Sequence, residues 1–403
     1  MSTLSHTRAR RRDRRVYLRS HPVLFGLLAA TRGRPVWRLG RTLLVHDGEA
    51  YREALTRLPL DRTAAGTTGG AARAALSGGG GVLFDQEGSG HRADRRDLAG
   101  RLGTAGVERL RAVWEPLLVR RLAPLARGGE VDLVELAREL AGMVVCALLD
   151  VDADPRAVAA AAGEAAASSV RSHLPGPRRP RAEAAAAGAA DRLRGLLGRA
   201  DEARAEHGPP AGNRADHKRA GQGPTDGPAG GRRAGQEAAD AGLAVMVAVA
   251  AVNTTVAALP RAVAWCADAG LWEQAADPVL RPALADELLR VTAASPVLPR
   301  VAASDGSVGG CPVRGGDRLL LVARHAAEAH RRDPDARRPA GAGTARLVFG
   351  SGPHVCPGAR LAHVQLADVL AALAPYRPVV TRSRVDRRAA LPGWRTLTVE
   401  ARA

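Results

Sequence analysis

The chain has 403 residues, 46% of them hydrophobic, which is enough to bury a large core and excludes a disordered chain. The formal net charge is +18, but aromatic residues make up only 3% and the arginines are scattered. Without aromatics to stack on bases, this charge does not indicate a nucleic-acid-binding protein. The four cysteines are too far apart for a zinc knuckle, a redox pair or a dense disulfide scaffold, so we expect a reducing, cytoplasmic location. They are Cys146, Cys266, Cys311 and Cys356.

The N-terminus is basic from Arg8 to Arg15, and a short apolar stretch from Val23 to Ala30 follows it. That stretch is far too short to span a bilayer, so we expect no membrane partner. His21-Pro22 is typical of the start of an amphipathic helix. The basic run predicts a disordered tail over residues 1–20.

Next along the chain, alternating apolar residues predict short strands at Val36–Leu39 and Leu43–Val45. Asp47-Gly48 predicts a turn, and a helical period runs from Glu49 to Leu58. The Gly-, Ala- and Thr-rich stretch 61–82 is typical of a mobile loop. Helical patterns then cover 91–102, 106–126, 131–149, 156–170 and 182–206.

The second half of the chain begins with residues 207–235, which are rich in Gly, Pro and Arg and predict a flexible surface excursion. A helix apolar almost all round follows from Gln236 to Ala269, which is typical of the centre of a large protein. Short strands dominate 291–322, and a last helix begins near Gly358. These patterns predict a mainly α fold with a minor β part, and one domain over residues 21–403.

The strongest motif is Phe349-Gly-Ser-Gly-Pro-His-Val-Cys-Pro-Gly358, followed directly by a helical pattern. Glycine accepts positive φ and lets backbone amides approach a sulfur closely. A helix that begins just after Cys356 stabilises a thiolate at its positive end. Read on its own, the motif is compatible with an activated ligand cysteine, a cysteine nucleophile or a structural cysteine in a turn.

This decapeptide is similar to the haem-binding signature of the cytochrome P-450 family. The resemblance implies a cytochrome P-450 fold, with haem b buried between the central helix and the cysteine loop. It makes Cys356 the axial ligand of the haem iron. Further cofactor-binding residues carried over from the signature are Phe349, Gly350, His354 and Gly358.

Other segments resemble the same family in the same order along the chain. Glu287-Leu-Leu-Arg290 is similar to its Glu-x-x-Arg pair, which braces the proximal side of the haem, although this spacing is ordinary on any helix. Arg300 resembles the residue that pairs with a haem propionate. Residues 21–55 resemble the family's opening helix and sheet. Residues 315–334 resemble the segment that begins with its Gly-Asp turn.

Two donors one helical turn apart, His91 and Arg95, are predicted to face a propionate. In isolation, a solvated helix face explains them nearly as well. Within the family pattern, propionate binding is favoured.

The sequence departs from the family at two places. The central helix carries Thr254, which matches the alcohol that helps deliver protons, but Asn253 replaces the acid before it. Asn cannot ionise, so we expect proton delivery to use Thr254, water or substrate, unless the change is neutral drift. Further along the same helix, Pro260 predicts a kink, because proline removes a backbone hydrogen-bond donor. The segment 333–348 is shorter than expected, and Arg337 or Arg338 is predicted to complete the Glu287–Arg290 network.

The resemblance implies a monooxygenase that oxidises a small molecule of secondary metabolism, using O2 and electrons from a ferredoxin and its reductase. Two alternatives remain open: an oxidase that couples or closes rings without oxygen insertion, and a haem protein that carries or senses a ligand without turnover. Substrate is expected to contact residues 61–84, 170–182 and 246–254, together with Val297 and Leu298.

Overall fold

A computed structural model of the protein describes residues 3–65, 67, 88–172, 180–206 and 229–402. The side chains of 3–5, 88–94, 171–172, 182, 199–206 and 229–240 lie outside that description. Residues 66 and 68–82 of the predicted loop, 173–179 and 207–228 also lie outside it.

Helices make up most of the described chain, which confirms a mainly α fold. In chain order they are α1 (Thr3–Ser20), α2 (Pro22–Thr31), α3 (Gly48–Thr56), α4 (Gly88–Leu102), α5 (Thr104–Leu122), α6 (Leu133–Leu149), α7 (Pro155–Ser172), α8 (Pro180–Glu206), α9 (Ala229–Ala269), α10 (Trp272–Ala276), α11 (Arg281–Thr292), α12 (Ala323–Ala326), α13 (Ala342–Ala345) and α14 (Ala359–Leu373).

The minor β part consists of nine short strands among the described residues. They are β1 (Val36–Leu39), β2 (Thr42–Val45), β3 (Glu130–Asp132), β4 (Leu298–Val301), β5 (Gly306–Val308), β6 (Cys311–Val313), β7 (Arg318–Leu321), β8 (Val379–Asp386) and β9 (Gly393–Glu400). One sheet has the order β1-β2-β7-β4, with β2 and β7 parallel and the other pairs antiparallel. A second sheet has the order β3-β9-β8, and β5 and β6 form a hairpin.

The long helix α9 lies in the main hydrophobic core and contacts α6, α7 and α11. Within the described residues, its segment Ala241–Ala269 is long and apolar enough to cross a membrane by composition alone. The core helix of a soluble protein passes the same test, and a helix surrounded by other helices must be apolar on most faces. The helix continues through Pro260 to its predicted end at Ala269.

The prediction of a disordered N-terminal tail is wrong from Thr3 onward. Val16 and Tyr17 of α1 are buried, and Asp13 accepts hydrogen bonds from Arg261 at 2.7 Å and from Arg324 at 2.9 Å. Some of the positive charges of α1 are also paired: Arg12 forms an ion pair with Asp268, whose side chain is buried. Such partners are more than 200 residues away, so a local pattern of arginines could not reveal them.

Three predicted boundaries also differ from the structure. Residues 229–235, placed in the flexible excursion, are the first turns of α9, while the rest of the excursion lies outside the described residues. Asp47 is the N-cap of α3, its carboxylate accepting from the amides of Glu49 and Ala50. Val131 lies in β3, where it pairs with Val399, and α6 begins two positions later.

Candidate functional site

The cysteine loop (residues 349–358) is closed by its own backbone. The amide of Cys356 donates to the carbonyl of Phe349 at 2.8 Å. Gly350 has φ +84° and Gly352 has φ +73°, in the region that favours glycine. A Cβ on Gly352 would also lie 3.2 Å from the carbonyl oxygen of Leu55, so the loop packs directly on α3.

The sulfur of Cys356 lies between two features that favour its anion. The Gly358 amide donates to the sulfur, and the guanidinium of Arg95 is close by; both lower the pKa of the thiol. Burial is the larger effect and raises that pKa. The residue nevertheless has accessible surface, so the sulfur is closely surrounded by protein but still reachable.

Arg95, predicted to face a propionate, contacts the cysteine loop. Its Nη1 donates to the carbonyl of Val355 at 2.7 Å, one residue before the cysteine. His91 lies one turn earlier on the same helix, α4, and its side chain is outside the described residues. His354 ends a short 3-10 helix, Gly352–His354, and is half-buried.

Arg300 lies on β4, and its Nη1 donates to the carbonyl of Pro299 at 2.8 Å. Burial lowers the pKa of Arg300, the nearby phenol of Tyr51 raises it, and the positive charge of Arg62 lowers it. Tyr51 is fully buried, and its hydroxyl has no hydrogen-bond partner among the described residues. Sequence reasoning missed Tyr51 and Arg62, because neither lies in a motif.

Glu287 and Arg290 form a fully buried ion pair, with N–O distances of 2.9 and 2.6 Å. Backbone groups complete this network: Arg290 donates to the carbonyl of Ala327 at 3.1 Å, and the amide of Ala340 donates to Glu287 at 2.9 Å. The prediction that Arg337 or Arg338 completes it is wrong, since both side chains point into solvent.

The central helix carries two neighbouring polar side chains in different environments. The hydroxyl of Thr254 donates to the carbonyl of Ala250 at 2.7 Å. The amide Nδ2 of Asn253 donates to Val249 O at 2.7 Å and to Ala162 O, on α7, at 3.2 Å. Asn253 is therefore joined to a neighbouring helix, whereas the hydroxyl of Thr254 is held within its own.

No protein-family model matches the chain. Over 110 residues the chain is 34% identical to 20-oxo-5-O-mycaminosyltylactone 23-monooxygenase of Streptomyces fradiae, covering 27% of this chain and 26% of that protein. The match therefore spans about a quarter of that relative's length.

Solved structures match over almost the whole chain. Epothilone D-bound cytochrome P450epoK superposes with a TM-score of 0.71 at 20% identity, covering 96% of this chain and 97% of that one. P450BioI in complex with an acyl carrier protein carrying hexadec-9Z-enoic acid gives 0.72 at 18% identity, covering 95% and 99%. This chain has the cytochrome P450 fold. The fold that the cysteine-loop resemblance implied is confirmed.

The residues around the loop fit the haem-thiolate group that the cytochrome P450 fold implies. Gly358 places no side chain against the sulfur, whereas a Cβ at this position would contact it at 3.8 Å. The loop presents apolar as well as polar surface: Val355 is 37% exposed, and Phe349 packs at the edge of the same core as Val247 and Ala251 of α9. A thiol flanked by an amide donor and an arginine, beside uncovered apolar surface, suits a flat apolar cofactor with a metal centre.

Proposed function

We propose that this chain is a haem-thiolate monooxygenase that holds haem b through Cys356 and oxidises a small molecule of secondary metabolism. The observation that carries the proposal is the cysteine loop, where an amide and a guanidinium face one reachable sulfur within a cytochrome P450 fold. Bound through Cys356, haem would supply the activation of O2 and the oxidation of the substrate.

The chain's own residues would hold the cofactor at three kinds of contact. Cys356 provides the thiolate, stabilised by the Gly358 amide. We assign the carboxylates of the cofactor to His91, Arg95, Arg300 and His354, because cationic donors form the strongest hydrogen bonds to carboxylates. Phe349, Gly350 and Gly358 shape the loop.

Glu287 and Arg290 would act indirectly, by bracing the approach to the cysteine loop. Their bonds fix the carbonyls of Ala327 and Arg332 and the amide of Ala340, which bracket the segment that precedes the loop. A fully buried pair with satisfied partners gives that segment one defined position.

Thr254 would take part in proton delivery. Its hydroxyl hydrogen is committed to the carbonyl of Ala250, so its oxygen lone pairs remain to accept a hydrogen bond from water or substrate. Thr254 therefore holds a proton donor in place rather than supplying a proton of its own. Asn253 cannot ionise, which leaves an ordered water or the substrate itself as the proton source.

The substrate class is proposed from the relatives. One is named for a tylactone derivative and one neighbour is bound to epothilone D, so we propose a bulky secondary metabolite. It would contact the central helix at 246–254 and the half-buried Val297 and Leu298. A screen of such metabolites for a shift in the haem absorption spectrum tests this class. We further propose a cytoplasmic enzyme supplied with electrons by a ferredoxin and its reductase.

The test of the whole proposal is haem ligation. The purified protein should contain one haem b, and its ferrous carbonyl complex should absorb at the long wavelength typical of thiolate ligation. Cys356→Ala and Cys356→His should lose that band, while Cys311→Ala, at a hairpin, should keep it. A band that survives in the Cys356 variants overturns the proposal.

The two alternative functions are separated by product analysis. The missing acid at Asn253 favours the oxidase alternative, but the bonds of Asn253 to Ala162 and Val249 give its amide a role unrelated to the reaction type. A product heavier by one oxygen atom supports the monooxygenase. Consumption of O2 on addition of substrate and reductase excludes a passive carrier.

A further inference from the structure

One amide joins the central helix to its neighbour beside the proposed proton-handling residue. Nδ2 of Asn253 carries two hydrogens, and it donates to two carbonyls, those of Val249 and Ala162. Ala162 is fully buried in α7, so the second bond lies inside the protein. The carbonyl of Ala162 also accepts a hydrogen bond within the ladder of α7, so the bond from Asn253 is a second bond on that oxygen and links the two helices.

The two acceptors define which side chain fits at this position. Both are carbonyl oxygens, which accept hydrogen bonds but cannot donate them. An ionised carboxylate at 253 would place oxygen against oxygen at two points. A protonated carboxyl could donate only one hydrogen, so an amide is the group that satisfies both contacts.

The same helical turn also carries Thr254. Its hydroxyl bonds back to the carbonyl of Ala250, while Asn253 bonds back to the adjacent carbonyl of Val249. Back-bonding of this kind competes with the helix ladder and bends helices. The bond to Ala162 gives this turn a contact outside its own helix.

We propose that Asn253 is a positioning residue whose neutral amide ties the turn carrying Thr254 to helix α7. Consecutive residues on a helix point about 100° apart, so Asn253 can face α7 while Thr254 faces another direction. This inference rests on the proposed function of Thr254 and reassigns Asn253 from a proton-relay position to a structural tie. It also gives a physical reason for the missing acid.

The experiment compares the full-length, haem-loaded protein with Asn253→Asp and Asn253→Leu at pH 5.5 and pH 8. Amide hydrogen exchange is followed in peptides from 155–172 and 246–257. Loss of the tie in Asn253→Leu should speed exchange in both peptides by about tenfold at either pH, since a buried hydrogen bond is worth about 1.4 kcal/mol. At pH 8 the exchange rates of Asn253→Asp should equal those of Asn253→Leu. At pH 5.5 they should return part of the way to the wild-type rates, because a protonated carboxyl can donate one hydrogen bond. Thr255→Val, on the same turn, is the control and should leave α7 unchanged.

A second readout separates positioning of Thr254 from simple stability. With a plant-type ferredoxin, its reductase and NADPH, hydrogen peroxide released per NADPH is measured for each variant and for Thr254→Ala. Asn253→Leu should leak peroxide as Thr254→Ala does, and the leak of Asn253→Asp should fall from pH 8 to pH 5.5. Where Leu prevents folding, Asn253→Ser serves in its place.

Two results would overturn the inference. One is amide exchange at pH 8 in Asn253→Asp that equals the wild-type rate. The other is faster amide exchange in Asn253→Leu with no increase in the hydrogen peroxide released per NADPH. The failure of the proposed function is recognised separately. In that case the ferrous carbonyl complex of the wild-type protein lacks the absorption band typical of thiolate ligation. The exchange data still decide whether Asn253 links α9 to α7.

Discussion

Acid should unfold this protein through a buried histidine cluster formed by His46, His325 and His330. The hydroxyl of Thr31 donates to Leu27 O at 2.9 Å, and it therefore accepts from Nε2 of His46 at 2.9 Å. Nδ1 of His46 is then an acceptor, and Nδ1 of His325 donates to it at 2.8 Å. The ring of His330 lies 4.8 Å from that of His325. This arrangement requires a neutral ring at His46, whose Nδ1 must accept.

Burial lowers the pKa of His46 and of His330 from 6.5 to about 4, and that of His325 to about 2. Between these pKa values and 6.5, the histidines are protonated in the unfolded chain but neutral in the folded chain. The free energy of unfolding is therefore largest above pH 6.5 and falls as the pH drops. One pH unit is worth about 1.4 kcal/mol per ring. His46 and His330 thus each remove roughly 3 kcal/mol by pH 4, out of the 5–15 kcal/mol or so that holds a typical domain folded.

Urea unfolding at pH 7 and pH 4.5 measures this loss, with haem occupancy held equal. His330→Gln is the informative variant, because Nδ1 of His330 has no hydrogen-bond partner among the described residues and its removal breaks no bond there. At pH 4.5 the variant should regain roughly 2–3 kcal/mol of what the wild type loses. His363→Gln, which removes a histidine outside the cluster, is the control. Equal losses in wild type and His330→Gln would refute the reasoning.

Four further substitutions test buried contacts of the fold and of the cysteine loop, each by urea unfolding. Glu287→Gln leaves Arg290 buried without its carboxylate and should cost about 3–5 kcal/mol; a cost under 1 kcal/mol contradicts the buried pair. Asp13→Asn, which removes the charge facing Arg261, should cost a similar amount, and no change would show that α1 is not docked. Gly352→Ala forces a side chain into positive φ and should cost at least about 1–2 kcal/mol and reduce haem retention, whereas full retention and stability would mean a different loop. Tyr51→Phe removes a hydroxyl without a described partner and should be neutral or slightly stabilising; a clear loss would reveal an unseen bond.

Several features could be predicted from the sequence because their cause is local. The cysteine loop combines glycines at positive φ with a helix that begins at Ala359, and both effects act within ten residues. The pair Glu287–Arg290 lies on one helical face, and the apolar run ending at Ala269 fixes a buried helix by composition.

Other features were decided by tertiary structure, because their partners are distant in the chain. The arginine-rich start of the chain docks as a helix since Asp13 meets Arg261 and Arg324, which no local pattern contains. The Glu287–Arg290 network is completed by backbone amides and carbonyls, which every residue carries and no side-chain motif can indicate.

Asn253 shows the division most clearly. Its sequence position marks an absent acid, but the meaning of that absence depends on the carbonyl of Ala162, 91 residues earlier. Only the packing of α7 against α9 brings that oxygen within 3.2 Å of the amide. A buried acceptor selects a donor, and the sequence alone does not say where acceptors will be buried.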